Sequence, residues 1–237
     1  MNQKRNFSIY LLFSILAAVF MSILAITAPS YIHPILIEEK SVIAGLFIIS
    51  CVIGIFFTLN PNWLRRHLSQ EKNRENNTNK GATRVFQGHH PDCYIFQNHR
   101  IQWKHKTWCA GCLGLLIGLG VSILLMLLYL ILDVPQSKII SYLLFIVGLF
   151  ILTFVFIEIV YSNRHPLVHV FFNSLLPLSF FLIIIAAIGL TGKLVYGFFT
   201  ILLCFLWLDV RIQLSKWRHR FLCTHCVESC KMFKVPV

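Results

Sequence analysis

Charge is scarce in this chain, and acid is scarcer than base: 13% of the 237 residues are Asp, Glu, Lys or Arg, with 9 acidic against 21 Lys and Arg. Soluble domains carry roughly a quarter charged residues, so a water-facing globule is excluded. Disorder is excluded by what stands in place of the charge, since 57% apolar side chains and 21 Phe do not resemble the polar, charged composition of unfolded segments. No P-loop, no Gly-rich dinucleotide turn after a strand, no HExxH and no GxSxG occurs. No convincing inverted repeat is visible, which weakens a transporter. The apolar runs are continuous rather than alternating, which excludes an outer-membrane barrel. Eight Cys diluted over a long apolar chain exclude a disulfide miniprotein.

What is present is six apolar runs long enough to cross a bilayer core about 30 Å thick, which needs roughly 20 helical residues. They extend from Phe7 to Ala28, Ser41 to Leu59, Leu113 to Leu132, Ile139 to Val160, Leu167 to Leu190 and Lys193 to Val210. The first exceeds the core of a signal peptide and is followed by Pro29, a poor cleavage position, so it is expected to stay as an anchor. Pro177 lies inside the fifth run, where a kink is expected.

Lys4 and Arg5 precede the first run, and Arg65, Arg66, Lys72, Arg74, Lys80 and Arg84 follow the second, whereas the loop between them carries Glu38 and Glu39. The positive-inside rule then places both termini in the cytoplasm, together with Asn163–Arg164–His165 and the tail Lys216–Trp217–Arg218–His219–Arg220. Loop retention accounts for the net charge of +12, so nucleic acid is not expected as a partner. The stretch from Ser69 to Arg84 reads as a mobile connector, and its sequon Asn76–Asn77–Thr78 should not be glycosylated on that side. The Trp residues, Trp207 among them, read as an interfacial belt.

The chemistry-bearing segments are GHHPDC…HR…WCAGCLGLLIG from Gly88 to Gly118 and FLCTHCVESC from Phe221 to Cys230. They place His89, His90, Cys93, His99, Cys109 and Cys112 before the third run, and Cys223, Cys226 and Cys230 after the sixth, on one membrane face. Two Cys two residues apart can point both thiolates at one ion about 2.3 Å away, and two such pairs make a tetrahedral site. Cys109 and Cys112 with Cys223 and Cys226 fit that arithmetic, provided membrane helices bring the pairs together. Structural zinc is the favoured occupant. An iron–sulfur cluster is less favoured, because Cys223, Cys226 and Cys230 echo a ferredoxin run without its fourth Cys and following Pro. A dithiol redox pair at Cys109–Ala110–Gly111–Cys112 is the third reading, because a helix amino terminus favours the thiolate. The bland alternative for each Cys is a small buried hydrophobe.

Ala110, Gly114 and Gly118 repeat a small residue every fourth position, so another helix can approach the third span closely and hold its CAGC end rigid. At the inner boundary, Glu158, His165, His169 and Asp209 are costly in hydrocarbon. Interfacial pairing with Arg164 or Arg211 and snorkelling is the simpler account. The sharper one is a cavity in which these four, with His89, His90 and Asp92, form a second metal or acid–base site.

The run HHPDC, then a His, then CAGC opening a span with Leu113, Gly114 and Gly118, resembles a family of small uncharacterised prokaryotic predicted membrane proteins. Their shared mark is a Cys/His segment and a CA-x-C-x-G motif at the start of a transmembrane helix. That resemblance implies a multi-span fold with a cysteine-rich cytoplasmic site, and no substrate. The sequence therefore predicts an all-α, six-span plasma-membrane protein, divided into a hairpin over 1–60, a cytoplasmic loop over 61–112, a four-helix region over 113–210 and a Cys-rich tail over 211–237. Its expected role is a scaffold or binding module whose zinc-bearing cytoplasmic face meets a protein partner or the lipid bilayer. The alternative is a membrane-embedded metal-dependent hydrolase, or a thiol or iron–sulfur redox protein.

Overall fold

A computed structural model of the chain describes residues 2–27, 37–60, 86–87, 99–103, 106–132, 137–160 and 165–224. Among the described residues there are six helices, α1 (Asn2–Thr27), α2 (Ile37–Leu59), α3 (Ala110–Leu132), α4 (Lys138–Val160), α5 (Pro166–Thr191) and α6 (Leu194–Thr224). Five of them, α2 to α6, are long and apolar enough to cross a membrane, and α1 contains a shorter apolar stretch, Ser8–Leu24. Their outer faces carry Ile131, Ile139, Val195 and Phe150 at 63% exposure or more. Apolar surface this extensive belongs in lipid rather than water.

The helix ends follow from local chemistry. His165 caps α5, its Nδ1 accepting from the Leu167 amide at 3.4 Å, with Pro166 at the first helical position. Gly192 ends the same helix in the left-handed region, φ 61°, and its amide donates to the Ile188 carbonyl at 2.9 Å. That turn lets α6 start at Leu194, antiparallel to α5. The sequence places the end of the sixth span at Val210, yet α6 continues to Thr224. From Phe198 onward this helix holds neither Gly nor Pro, so nothing in the backbone stops it where the composition turns polar. The basic segment at 217–220 is helical as well.

α5 lies at the centre, packed most extensively against α4 and α3 and also against α6. Leu176, Ile183, Ile184 and Ala186 on it are fully buried. The close approach expected from the small residues of α3 is present. A Cβ built on Gly114 would overlap the Val170 carbonyl and lie 2.8 Å from the Asn173 Cβ, and one on Gly118 would lie 2.8 Å from the Ser174 Cα. Only Gly allows the two backbones to pack this tightly. Trp207 is completely buried, and its indole N–H donates to the Ser14 carbonyl at 3.3 Å, joining α6 to α1. It serves the core rather than an interfacial belt.

The polar segment before α3 forms a small sheet that a search for apolar runs does not anticipate. Its strands are β1 (Phe86–Gln87), β2 (Arg100–Trp103) and β3 (Lys106–Cys109), in the order β1-β3-β2. β2 and β3 pair antiparallel with Arg100 opposite Cys109, and β1 joins β3 in parallel. Four-residue strands separated by two residues carry too short an alternation to stand out from a polar loop. β3 passes directly into α3 at Cys109–Ala110.

Candidate functional site

α3 and α5 begin, and α4 ends, at the same end of the bundle, where α6 carries its polar half. At that end four helices present polar side chains to one another. Glu158 on α4 and His169 on α5 are 3% and 6% exposed, and the His169 Nδ1 lies 2.7 Å from the Glu158 Oε1. The separation is that of an ion pair, although the direction is poor for a hydrogen bond and leaves this oxygen without one. One turn further along α5, Asn173 is 4% exposed, and its amide nitrogen donates to the His169 carbonyl at 2.5 Å. Its amide group lies beside the CAGC segment, 3.8 to 3.9 Å from where a Cβ on Gly111 would sit. The His99 ring stacks on the His169 ring with centroids 4.3 Å apart and 29° between planes. Arg211 on α6, half-buried, lies within electrostatic reach of Glu158, Cys109 and Cys112.

The side chains expected at the boundary therefore separate into two groups. Glu158 and His169 come together in the interior. His165 is exposed and serves as the α5 cap, and Asp209 is exposed and accepts from Gln213 Nε2 at 3.4 Å on its own helix. The site also contains Asn173, which the sequence reading passes over. An amide inside an apolar run, one turn after a His and beside a later Pro, was the available signal. Pro177 has no N–H, so the Asn173 carbonyl also lacks its usual donor four residues on.

Cys109 is buried at the junction of β3 and α3, and Cys112 is half-buried one turn into α3. Cys51 and Cys204, on α2 and α6, are buried in the apolar core as small hydrophobes. Among the described residues, no group of three or more His, Cys, Asp or Glu side chains is placed to hold a metal ion. His89, His90, Asp92, Cys93, Cys226 and Cys230 lie outside the described residues. The α6 backbone carries residue 223 about 18 Å further along the axis than Arg211, at about 1.5 Å of rise per residue.

No family model matches this chain, and neither does any curated protein or solved structure.

Proposed function

We propose that the chain is a six-span plasma-membrane protein with both termini in the cytoplasm, whose cytoplasmic face holds a structural zinc ion and acts as a scaffold or binding module. Cys109 and Cys112 supply one pair of thiolates. The other ligands come from Cys93, His89, His90 or His99 on the preceding segment, or from the tail residues Cys223, Cys226 and Cys230. Of the tail residues, Cys230 has the length to return toward the amino end of α3, because six extended residues past Thr224 span about 20 Å, whereas Cys223 and Cys226 lie within two residues of the end of α6. The observation that carries this reading is the placement of Arg211 within electrostatic reach of both thiols. A zinc–thiolate centre carries excess negative charge, which a half-buried guanidinium offsets while it also faces the Glu158 carboxylate. The likeness of the CAGC segment to the uncharacterised membrane-protein family agrees with a site at this position.

The test is elemental analysis of the full chain purified in detergent. One zinc per chain, lost in a Cys109→Ser, Cys112→Ser double variant together with thermal stability, supports the proposal. Zinc-free, colourless protein with the same melting point as the double variant would refute it. Brown protein would point instead to an iron–sulfur cluster. A second reading, a dithiol redox pair, is favoured by the position of both thiols at the amino end of α3 beside Arg211. It predicts a thiol–disulfide couple at these two residues without bound metal.

A further inference from the structure

Loop retention explains how many basic residues follow the last span, but not where the fold puts them. α6 has 31 residues, about 46 Å at 1.5 Å of rise each, against an apolar core about 30 Å thick. Measured from Leu194, that core ends near Leu214. Lys216, Trp217 and Arg218 then stand in the head-group layer, which extends roughly 5 to 7 Å further, and Arg220 stands at its edge. α1 runs antiparallel beside this segment. The Ser14 carbonyl accepts from Trp207, and Tyr10 and Leu11 pack against the cluster of Ile159, Val210 and Leu214. Continued outward by equal steps from the Ser14–Trp207 bond, this register puts Lys4 and Arg5 level with Lys216 to Arg218.

Two remote parts of the chain thus bring Lys4, Arg5, Lys216, Arg218 and Arg220 to one depth. Neither α1 nor α6 beyond Asp209 contains an acidic residue, and Glu158 is turned into the bundle against His169. Lys216 is exposed. The Arg218 guanidinium carbon lies 5.6 Å from the centroid of the Phe221 ring, which stacks on Trp217 at 6.0 Å, so this cation is braced on an aromatic ring rather than on a carboxylate. We infer that this basic collar is a binding surface for anionic phospholipid, a phosphodiester with no ammonium of its own. Such a head group meets several cations at its own depth, against the outside of the helices, where no cavity is needed. A zwitterionic head group brings an ammonium for which the collar has no acidic partner. The inference rests on the six-span reading and not on zinc.

The experiment compares melting of the full chain in bilayer discs of phosphatidylcholine, in discs that also contain phosphatidylglycerol, and in phosphatidylcholine discs with soluble glycerol phosphate added. A single-site ligand at about ten times its dissociation constant raises the melting point of a chain this size by about 4 °C. The expected result is such a rise with phosphatidylglycerol, shrinking as salt is raised from about 0.1 to 1 M and the screening length falls from about 10 to 3 Å. A Lys216→Gln, Arg218→Gln, Arg220→Gln variant should lose most of the rise, whereas Lys138→Gln with Lys193→Gln, at the opposite end of the bundle, should keep it. If the triple variant does not fold, the exposed Lys216→Gln alone should still reduce the rise. Equal melting of the unaltered protein in the two lipids would overturn the inference, as would a full rise with glycerol phosphate alone or a rise that the triple variant retains. Protein that does not enter the discs would refute the spans instead, so the two failures are distinguishable.

Discussion

Replacing Gly114 by Ala tests the contact that positions the site. The added methyl would lie 2.8 Å from the Asn173 Cβ and 2.9 Å from the Val170 carbonyl carbon, besides overlapping the carbonyl oxygen. Carbon atoms pack best at about 3.5 to 4.0 Å, and the obstructing atoms are mostly backbone, which cannot swing aside. α5 must therefore move away from α3 by about an ångström, loosening the packing on both sides of Asn173. Overpacking of this kind costs about 2 kcal/mol, which lowers the melting point of a chain this size by about 4 to 8 °C. Gly120 on the same helix provides the comparison, because a Cβ there meets nothing within 4 Å. Gly120→Ala adds the same methyl and gains at most about 1 kcal/mol of helix propensity, so its melting point should hold or rise. Thermal melting of both variants in one detergent is the assay. Indistinguishable melting points would refute the close approach of α3 and α5.

Removing the partner of the buried carboxylate, His169→Ala, leaves Glu158 with Arg211 alone and should cost about 3 kcal/mol of stability. Asp209→Asn, on the exposed face of α6, should change stability by less than about 0.5 kcal/mol, and chemical denaturation of the two variants compares them directly. Maleimide should modify Cys112 before Cys109 and leave Cys51 and Cys204 untouched in the folded protein, since Cys112 alone of these four is not fully buried; mass spectrometry of time points reads the order, and early labelling of Cys204 would contradict the packing of α6. If zinc is bound, labelling of Cys112 should also need a chelator. Trp207→Phe removes the bond from α6 to the Ser14 carbonyl and should cost about 1 kcal/mol, visible as a lower melting point.

The helical spans were legible because a bilayer-crossing helix must satisfy its backbone internally and present apolar side chains over its whole length. A run such as Leu113 to Leu132 states this within one window of sequence. The small-residue spacing at Gly114 and Gly118 was legible for a similar reason, as periodicity along one helix reports the face that a neighbour can approach. Less legible were the features set by a few residues against a changing background. The end of α6 was misplaced because composition marks where lipid ends, whereas a helix without Gly or Pro continues into water. The small sheet was missed because its strands are shorter than the alternation needed to recognise them.

The sequence by itself determined that several helices of this chain are long and apolar enough to cross a membrane, and that Cys109, Cys112, Glu158 and His169 stand near the ends of its apolar runs. Only the tertiary structure decided which of those groups meet. Glu158, His169, Asn173 and Arg211 come from three different helices, α4, α5 and α6, and their meeting depends on helix rotation and on the glycine contact that lets α3 press against α5. His165 and Asp209 have the same residue chemistry at nearly the same depth, but their helix faces turn outward. Depth in the bilayer is written along the chain, whereas orientation about a helix axis is fixed by how neighbouring side chains pack.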